Sequence, residues 1–277
     1  MSALGFDRLF SMSAFDGLRS IRKQALQSPG LEYTAVINII RNIDSDAGGL
    51  DFEAALELDV ILPAETPLDV APVFYRCCIS DVVLAHKITW ARSIMLGRTM
   101  LLKQLNRDEQ QCFRSARLLE APPPDDVVEW WDTLSGQIRH TINKNNLYRG
   151  RQAEKLSLEH EINRLRELGI NMSPLWVSVD DNTVGYDILS YDLGEFGPMN
   201  RMIEVKSTIA SPLHYNVSRN EWEKGRMYGK SYHFHIWNLA VTPPRLYERT
   251  LDDVLQHIPF DQRKGKWTNV DIPVGGS

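Results

Sequence analysis

Asp187, in Gly185-Tyr186-Asp187-Ile188-Leu189-Ser190-Tyr191, and the pair Glu204 and Lys206, in Met202-Ile203-Glu204-Val205-Lys206-Ser207-Thr208, are ionisable groups set in runs otherwise rich in β-branched, aromatic and aliphatic residues. Such runs predict buried strands, and the Gly/Pro/Asn-bearing segment from Asp192 to Asn200 predicts a long-looped hairpin joining them. Strand alternation then places Glu204 and Lys206 on one face and Ile203 and Val205 on the other. If the two strands are neighbours, Asp187 reaches the face of Glu204 and Lys206. Two carboxylates and an ammonium are costly to bury without partners, and a divalent metal would supply one.

A helix over about Arg151 to Leu168 is expected to lie beside those strands, opened after Gly150 and closed by Gly169 as a left-handed C-cap. At 100° per residue Leu158, Ile162, Leu165 and Leu168 form one apolar stripe, and Glu154 lies on it one turn ahead of Leu158. Glu161 also falls within the stripe and is the rival candidate for an inward-facing acid, whereas Glu159 points away. Leu175 to Val179 predicts a strand, followed by a turn at Asp180-Asp181-Asn182. Ser218 with Glu221 matches a capping box opening a helix to about Tyr228, which gives Glu221 an ordinary structural task. Tyr232 to Ala240 predicts another strand. Its His233 and His235 share a face, and with no third ligand near in sequence they read as core or solvent-facing histidines. From Thr242 onward the prolines, a short helical run near Leu251 to His257 and the Gly-ending tail predict a covering extension.

Residues 1–145 have a mainly helical texture. Ser28-Pro29-Gly30 stops the first helical stretch, and Val36 to Ile43 suits either a strand or a helix. Val73 to Leu105 suggests one or two packed helices. Pro122-Pro123-Pro124 is the sharpest break, because each ring fixes φ and removes a donor. After it, Asp125 or Asp126 can cap a helix whose Val127, Trp131, Leu134, Ile138 and Ile142 share a face. Trp130 and Trp131 there read as packing residues ahead of a base-stacking platform. Arg139, His140, Lys144, Arg149, Arg151 and Lys155 form a locally basic strip, which suits a solvated linker or a phosphate-tracking surface.

Composition sets outer bounds. With 43% hydrophobic residues in 277, the chain can bury one large core or two modest ones, and two domains, 1–145 and 146–277, are expected. The net charge of −5 gives no whole-molecule argument for a nucleic-acid partner, so any such contact must be local. Cys77, Cys78 and Cys112 have neither disulfide-framework nor metal-knuckle spacing, which suits a reducing cytoplasm. Neither a membrane span nor a signal peptide is expected.

The order of the second half is helix with an inward acid, strand, strand with Asp187, strand with Glu204-x-Lys206, helix, strand. That order resembles the PD-(D/E)XK nuclease superfamily, the restriction-endonuclease-like fold. More narrowly, Gly150-Arg151-Gln152-Ala153-Glu154, Gly185-Tyr186-Asp187, Ile203 to Thr208, Arg219-Asn220-Glu221-Trp222 and the strand Tyr232 to Trp237 resemble the protein NO VEIN C-terminal domain family. The likeness covers residues 148–240 or so. Tyr186 stands where the superfamily has a proline.

The resemblance implies an α/β fold with a central mixed sheet flanked by helices. It implies that Asp187 and Glu204 hold Mg²⁺ (or Mn²⁺), with Glu154 as the helix-borne acid of the metal site, and that Lys206 completes the catalytic set. The substrate it implies is nucleic acid, DNA ahead of RNA, with Lys144, Arg149 and Arg151 as candidate phosphate contacts. A bacterial restriction or anti-phage setting, a protein partner and a homodimer belong to the same expectation. Two other readings compete with it: a binding module that needs a helicase-like or ATPase partner, and a protein whose Asp187, Glu204 and Lys206 form only a buried ion-pair cluster.

Overall fold

A computed structural model describes residues 4–275 apart from 87, 182 and 264. It divides into two compact units, Met1–Ile142 and Asn143–Ser277, a division three residues ahead of the expected one. The first unit is helical: α1 (Phe6–Leu9), α2 (Met12–Gln27), α3 (Tyr33–Ile43), α4 (Phe52–Ile61), α5 (Ala71–Ala85), α6 (Arg98–Leu102), α7 (Arg107–Ser115) and the first part of α8 (Asp125–Glu167). The ambiguous run Val36 to Ile43 is therefore helix, with Val36, Ile37 and Ile40 buried at i, i+1 and i+4 spacing. The core gathers Phe10, Phe15, Phe74, Trp90, Phe113 and Trp131. Trp131 stacks on Phe113 at 5.9 Å and its indole donates to the Leu118 carbonyl, so it is a packing residue. Each such aromatic contributes roughly 1.5–3 kcal/mol of burial. Arg22, buried in this core, donates to Asp59 at 2.6 Å and to the Pro63 and Leu62 carbonyls, so its charge does not go unmatched.

The proline run ends at α8, as its chemistry requires. The Pro124 carbonyl accepts from both Val127 and Val128 N–H, and Asp126, one of the expected caps, pairs instead with Arg76 at 2.6 Å. Gly150 does not open a new helix; it lies inside α8, where it costs only about 1 kcal/mol relative to alanine. Gly169, at φ +70°, does close α8, with Ile170 N–H donating back to the Leu165 carbonyl.

The second unit is α/β. Five strands, β1 (Leu175–Trp176), β2 (Ile188–Gly194), β3 (Gly197–Thr208), β5 (Tyr232–Asn238) and β6 (Arg245–Thr250), form a sheet in the order β1-β2-β3-β5-β6. β3 and β5 run parallel and the other pairs antiparallel, so the sheet is mixed. β4 (His214–Ser218) pairs with β7 (Asn269–Pro273) in a separate ribbon. The remaining helices are α9 (Val177–Asp180), α10 (Arg219–Tyr228) and α11 (Leu251–Leu255).

Four expectations are corrected here. Asp192 to Asn200 is not a long loop: the strands continue to Gly194 and from Gly197, leaving Glu195 and Phe196 as the turn. Leu175 to Val179 is strand for two residues only before turning into α9. Asn182, expected in the following turn, lies outside the described residues. The tail is not merely a cover, since it supplies β6 and β7. The buried stripe of α8 runs through Ala153, Ser157, Glu161 and Leu165, while Ile162 and Leu168 are exposed.

Candidate active site

β2 and β3 pair with Ile188 opposite Ile203, which sets Asp187 beside the start of the Glu204-Val205-Lys206 run. Its backbone N–H donates to the Ile203 carbonyl at 2.9 Å, and its Oδ2 accepts from Val205 N–H at 2.7 Å. The carboxylate thus completes a ladder that β2 itself has not yet begun. Burial pushes the Asp187 carboxyl up to about 6; the Val205 hydrogen bond works against that rise, and the nearby charge of Glu154 adds to it.

Ile203 and Val205 pack with Ala153, Ile188 and Trp237, whereas Glu204 and Lys206 take the opposite face, opposite Phe234 and Ile236 of β5. Lys206 Nζ lies 2.8 Å from Glu204 Oε1 and 2.8 Å from Glu221 Oε2. Burial works against the Lys206 charge, yet the two carboxylates outweigh it and the ammonium is held above its ordinary range. Burial raises Glu204 in turn, with Lys206 opposing. These pulls are opposite in the one ion pair. With two carboxylates in contact, the ammonium is the fixed charge, and the excess negative charge is spread over Glu204, Glu221 and Asp187.

Glu221 forms the expected capping box with Ser218, and the same Oε2 that accepts from Ser218 N–H also meets Lys206. Sequence reasoning stopped at the first task; the lysine contact comes from tertiary packing and leaves no local signal. Tyr232 was also missed as a site residue. Its hydroxyl donates to the Gly185 carbonyl at 2.9 Å and stands 3.4 Å from Glu204 Oε2. Gly185 adopts φ +94°, and a Cβ there would meet the Lys224 side chain at 2.6 Å, so glycine is required for the chain to enter the site.

Of the two candidate helix acids, Glu154 is the one whose charge is felt at Asp187. Glu154 Oε2 accepts from Ser178 Oγ at 2.6 Å, from Arg151 at 2.7 Å and from the Trp176 indole. Glu161 is fully buried against Arg164, Ser190 and His235, in the second charged cluster. Of the three candidate phosphate contacts, Lys144 is exposed, Arg149 binds Asn146, and Arg151 is held by Glu154 and Ser178.

Four carboxylates, Glu154, Asp187, Glu204 and Glu221, face two cations, Lys206 and Arg151. That negative surplus, built of hard oxygen donors, suits a divalent cation, and Mg²⁺ is commonly held by only one or two carboxylates with water and phosphate oxygens completing its shell. Asp187 and Glu204 fit that task by donor type. Glu154, whose three donors all lie on Oε2, stands with them as the helix-borne acid. Among the described residues no three histidine, cysteine or acidic side chains are gathered round one point as a ready-made cage.

Residues 153–248 match the family described as Protein NO VEIN, C-terminal. The match spans 96 of 277 residues, begins one residue before Glu154, and encloses Asp187, Glu204, Lys206, Glu221 and Tyr232. The likeness to the NO VEIN C-terminal family thus covers the cluster apart from Arg151, together with β1 to β5 and most of β6. No curated protein and no solved structure matches the chain.

Proposed function

We propose that residues 143–277 form a Mg²⁺-dependent phosphodiesterase of restriction-endonuclease-like fold that cleaves nucleic acid, DNA ahead of RNA. The observation that carries this reading is the meeting of Asp187, from the residue preceding β2, with Glu204 and Lys206 on the neighbouring strand, at 2.7 Å through Val205 N–H and 2.8 Å through the ion pair. Bound by Asp187 and Glu204, Mg²⁺ would polarise a phosphoryl oxygen and acidify a water. Lys206, kept charged by Glu204 and Glu221, orients the attacking water and offsets the charge that grows on the phosphorus oxygens. Held in this way it is a poor proton acceptor, so its role is orientation and charge rather than general base. Tyr232 and the Gly185 carbonyl fix the height of Glu204 against the sheet.

The resemblance to nucleases of restriction and anti-phage systems supports a setting with a protein partner, and two-strand cleavage by paired sites would favour a homodimer. No helix among the described residues is long and apolar enough to cross a membrane. The test is incubation of the purified chain with supercoiled plasmid, single-stranded DNA and RNA in Mg²⁺ or Mn²⁺, with EDTA as control. Metal-dependent cleavage supports the reading and identifies the substrate. Absence of cleavage in every arm contradicts an autonomous nuclease and favours the partner-dependent binding module.

A further inference from the structure

The opposite face of β3 carries a second set of buried charges. Among the described residues five buried side-chain atoms lack a hydrogen-bond partner, and four of them, His160 Nε2, Glu161 Oε1, Arg201 Nε and His235 Nε2, fall in this one place. His235 Nε2 is 3.6 Å from Glu161 Oε1 and 3.8 Å from Glu248 Oε2, and His160 Nε2 is 3.5 Å from Glu248 Oε1. Those spacings are too long for direct hydrogen bonds and only slightly longer than the ~3.3–3.4 Å between neighbouring ligands of a tetrahedral ion with ~2.0–2.1 Å bonds. The His160 and His235 rings lie 5.5 Å apart at 79°, each with its Nε2 unused.

We propose that His160, Glu161, His235 and Glu248 bind a single transition-metal ion of the zinc class, at a site separate from Asp187 and Glu204. A two-imidazole, two-carboxylate donor set suits zinc. Each carboxylate gives one oxygen to an arginine and turns the other inward. Glu161 Oε2 accepts from Arg164 at 2.8 Å and from Ser190 at 2.6 Å, leaving Oε1. Glu248 Oε2 accepts from Arg201 at 2.7 Å, leaving Oε1, 3.5 Å from His160, as its donor to the ion; the 3.8 Å from His235 is to the arginine-bound oxygen of the same carboxylate. Outer partners of this kind orient metal ligands.

His235 has such a partner as well. Its Nδ1 is 3.3 Å from Ser157 Oγ, which also accepts from the Trp237 indole at 2.7 Å. With Nδ1–H donating to Ser157, the tautomer that a metal-bound His235 would take, Nε2 turns its lone pair toward Glu161 and Glu248, where an ion would sit between them. Glu161, Glu248 and Asp192 against Arg164 and Arg201 leave one negative charge in surplus. His160 and Glu248 are 35% and 43% exposed, so an ion can reach the cluster from solvent. The metal-free chain does not hold these donors at bonding distance from one point. Closing each gap by ~0.2–0.4 Å is a side-chain rotation, and the ion supplies the attraction that drives it.

The test uses the full chain, stripped with chelator and equilibrated with zinc alone, then gel-filtered and analysed for bound metal, with cobalt absorbance as a probe of tetrahedral geometry. The wild-type chain and Asp187→Asn are expected to retain one zinc, with a raised unfolding midpoint and a tetrahedral cobalt spectrum. His160→Gln and Glu248→Gln, at partly exposed positions, are expected to weaken zinc binding by more than about 100-fold, beyond the loss of an outer partner. A folded wild-type chain without zinc overturns the proposal. Zinc retained by both His160→Gln and Glu248→Gln, or lost only in Asp187→Asn, does so too.

Discussion

β3 carries buried charge on both its faces, and the two clusters are built on different terms. On one face four carboxylates share Lys206 and Arg151, and burial raises Asp187 and Glu204 above their ordinary range. On the other, Arg164 meets Glu161 and Asp192, and Arg201 meets Asp192 and Glu248 with Glu161 at 3.9 Å. There Glu248 is pulled down to about 2, first by its contact with His160 and then by the charges of His235 and Arg201, against its desolvation. Buried charge alone therefore does not mark an active site. What distinguishes the first face is the size of its carboxylate surplus, two against one on the second face, together with a lysine set between two of the acids, and such a surplus favours a ligand over fold stability.

That difference is most sharply tested by removing one acid from each face. Glu161→Ala leaves Ser190 without its buried acceptor and takes one of two carboxylates from Arg164, which keeps Asp192, so a loss of about 1–3 kcal/mol is expected in urea unfolding. Asp187→Asn relieves a carboxylate that burial already disfavours, and the metal-free chain is expected to keep or slightly gain stability. Equal losses in the two variants would break the comparison.

The pH dependence follows from the same surplus. The folded Asp187 carboxyl sits near 6, above its unfolded value of about 3.9, so the folded chain binds the extra proton between those limits and this group's cost grows as pH rises through 6. Mg²⁺ should therefore raise the unfolding midpoint more at pH 7.5 than at pH 5, where Asp187 is largely protonated. Thermal scans with and without Mg²⁺ at both pH values check this, and an equal shift at both would place the ion elsewhere. Gly169→Ala lies outside both clusters and sharpens the scale. Its φ of +70° should cost about 1 kcal/mol through the left-handed backbone alone, with no change in metal response.

Much of this arrangement was readable where the signal is local. Ser218 and Glu221 announce a cap, Gly169 a helix end, Pro122 to Pro124 a break, and the Glu204-Val205-Lys206 alternation assigns one residue type to each face of β3. What was misread depends on distant partners. The stripe of α8 turned by one residue because Ser157 and Glu161 are buried polar groups, matched by Trp237, Ser190 and Arg164. A reading by apolar spacing cannot see them. β4 and β7 are five residues each and lie some fifty residues apart, so neither reads as a strand until the other is beside it. Gly194, Gly197 and Pro198 were read as loop chemistry, although a two-residue hairpin uses them at its closing pair and just inside β3.

The central claim is that Lys206, pinned between Glu204 and Glu221, stabilises the charge of phosphodiester cleavage. The most direct measurement compares wild type and Lys206→Ala in metal-dependent cleavage of the best substrate, with circular dichroism on the same samples. The account predicts a loss of about 10²–10³-fold or more with the fold intact. A folded Lys206→Ala chain that cleaves at a comparable rate would contradict it.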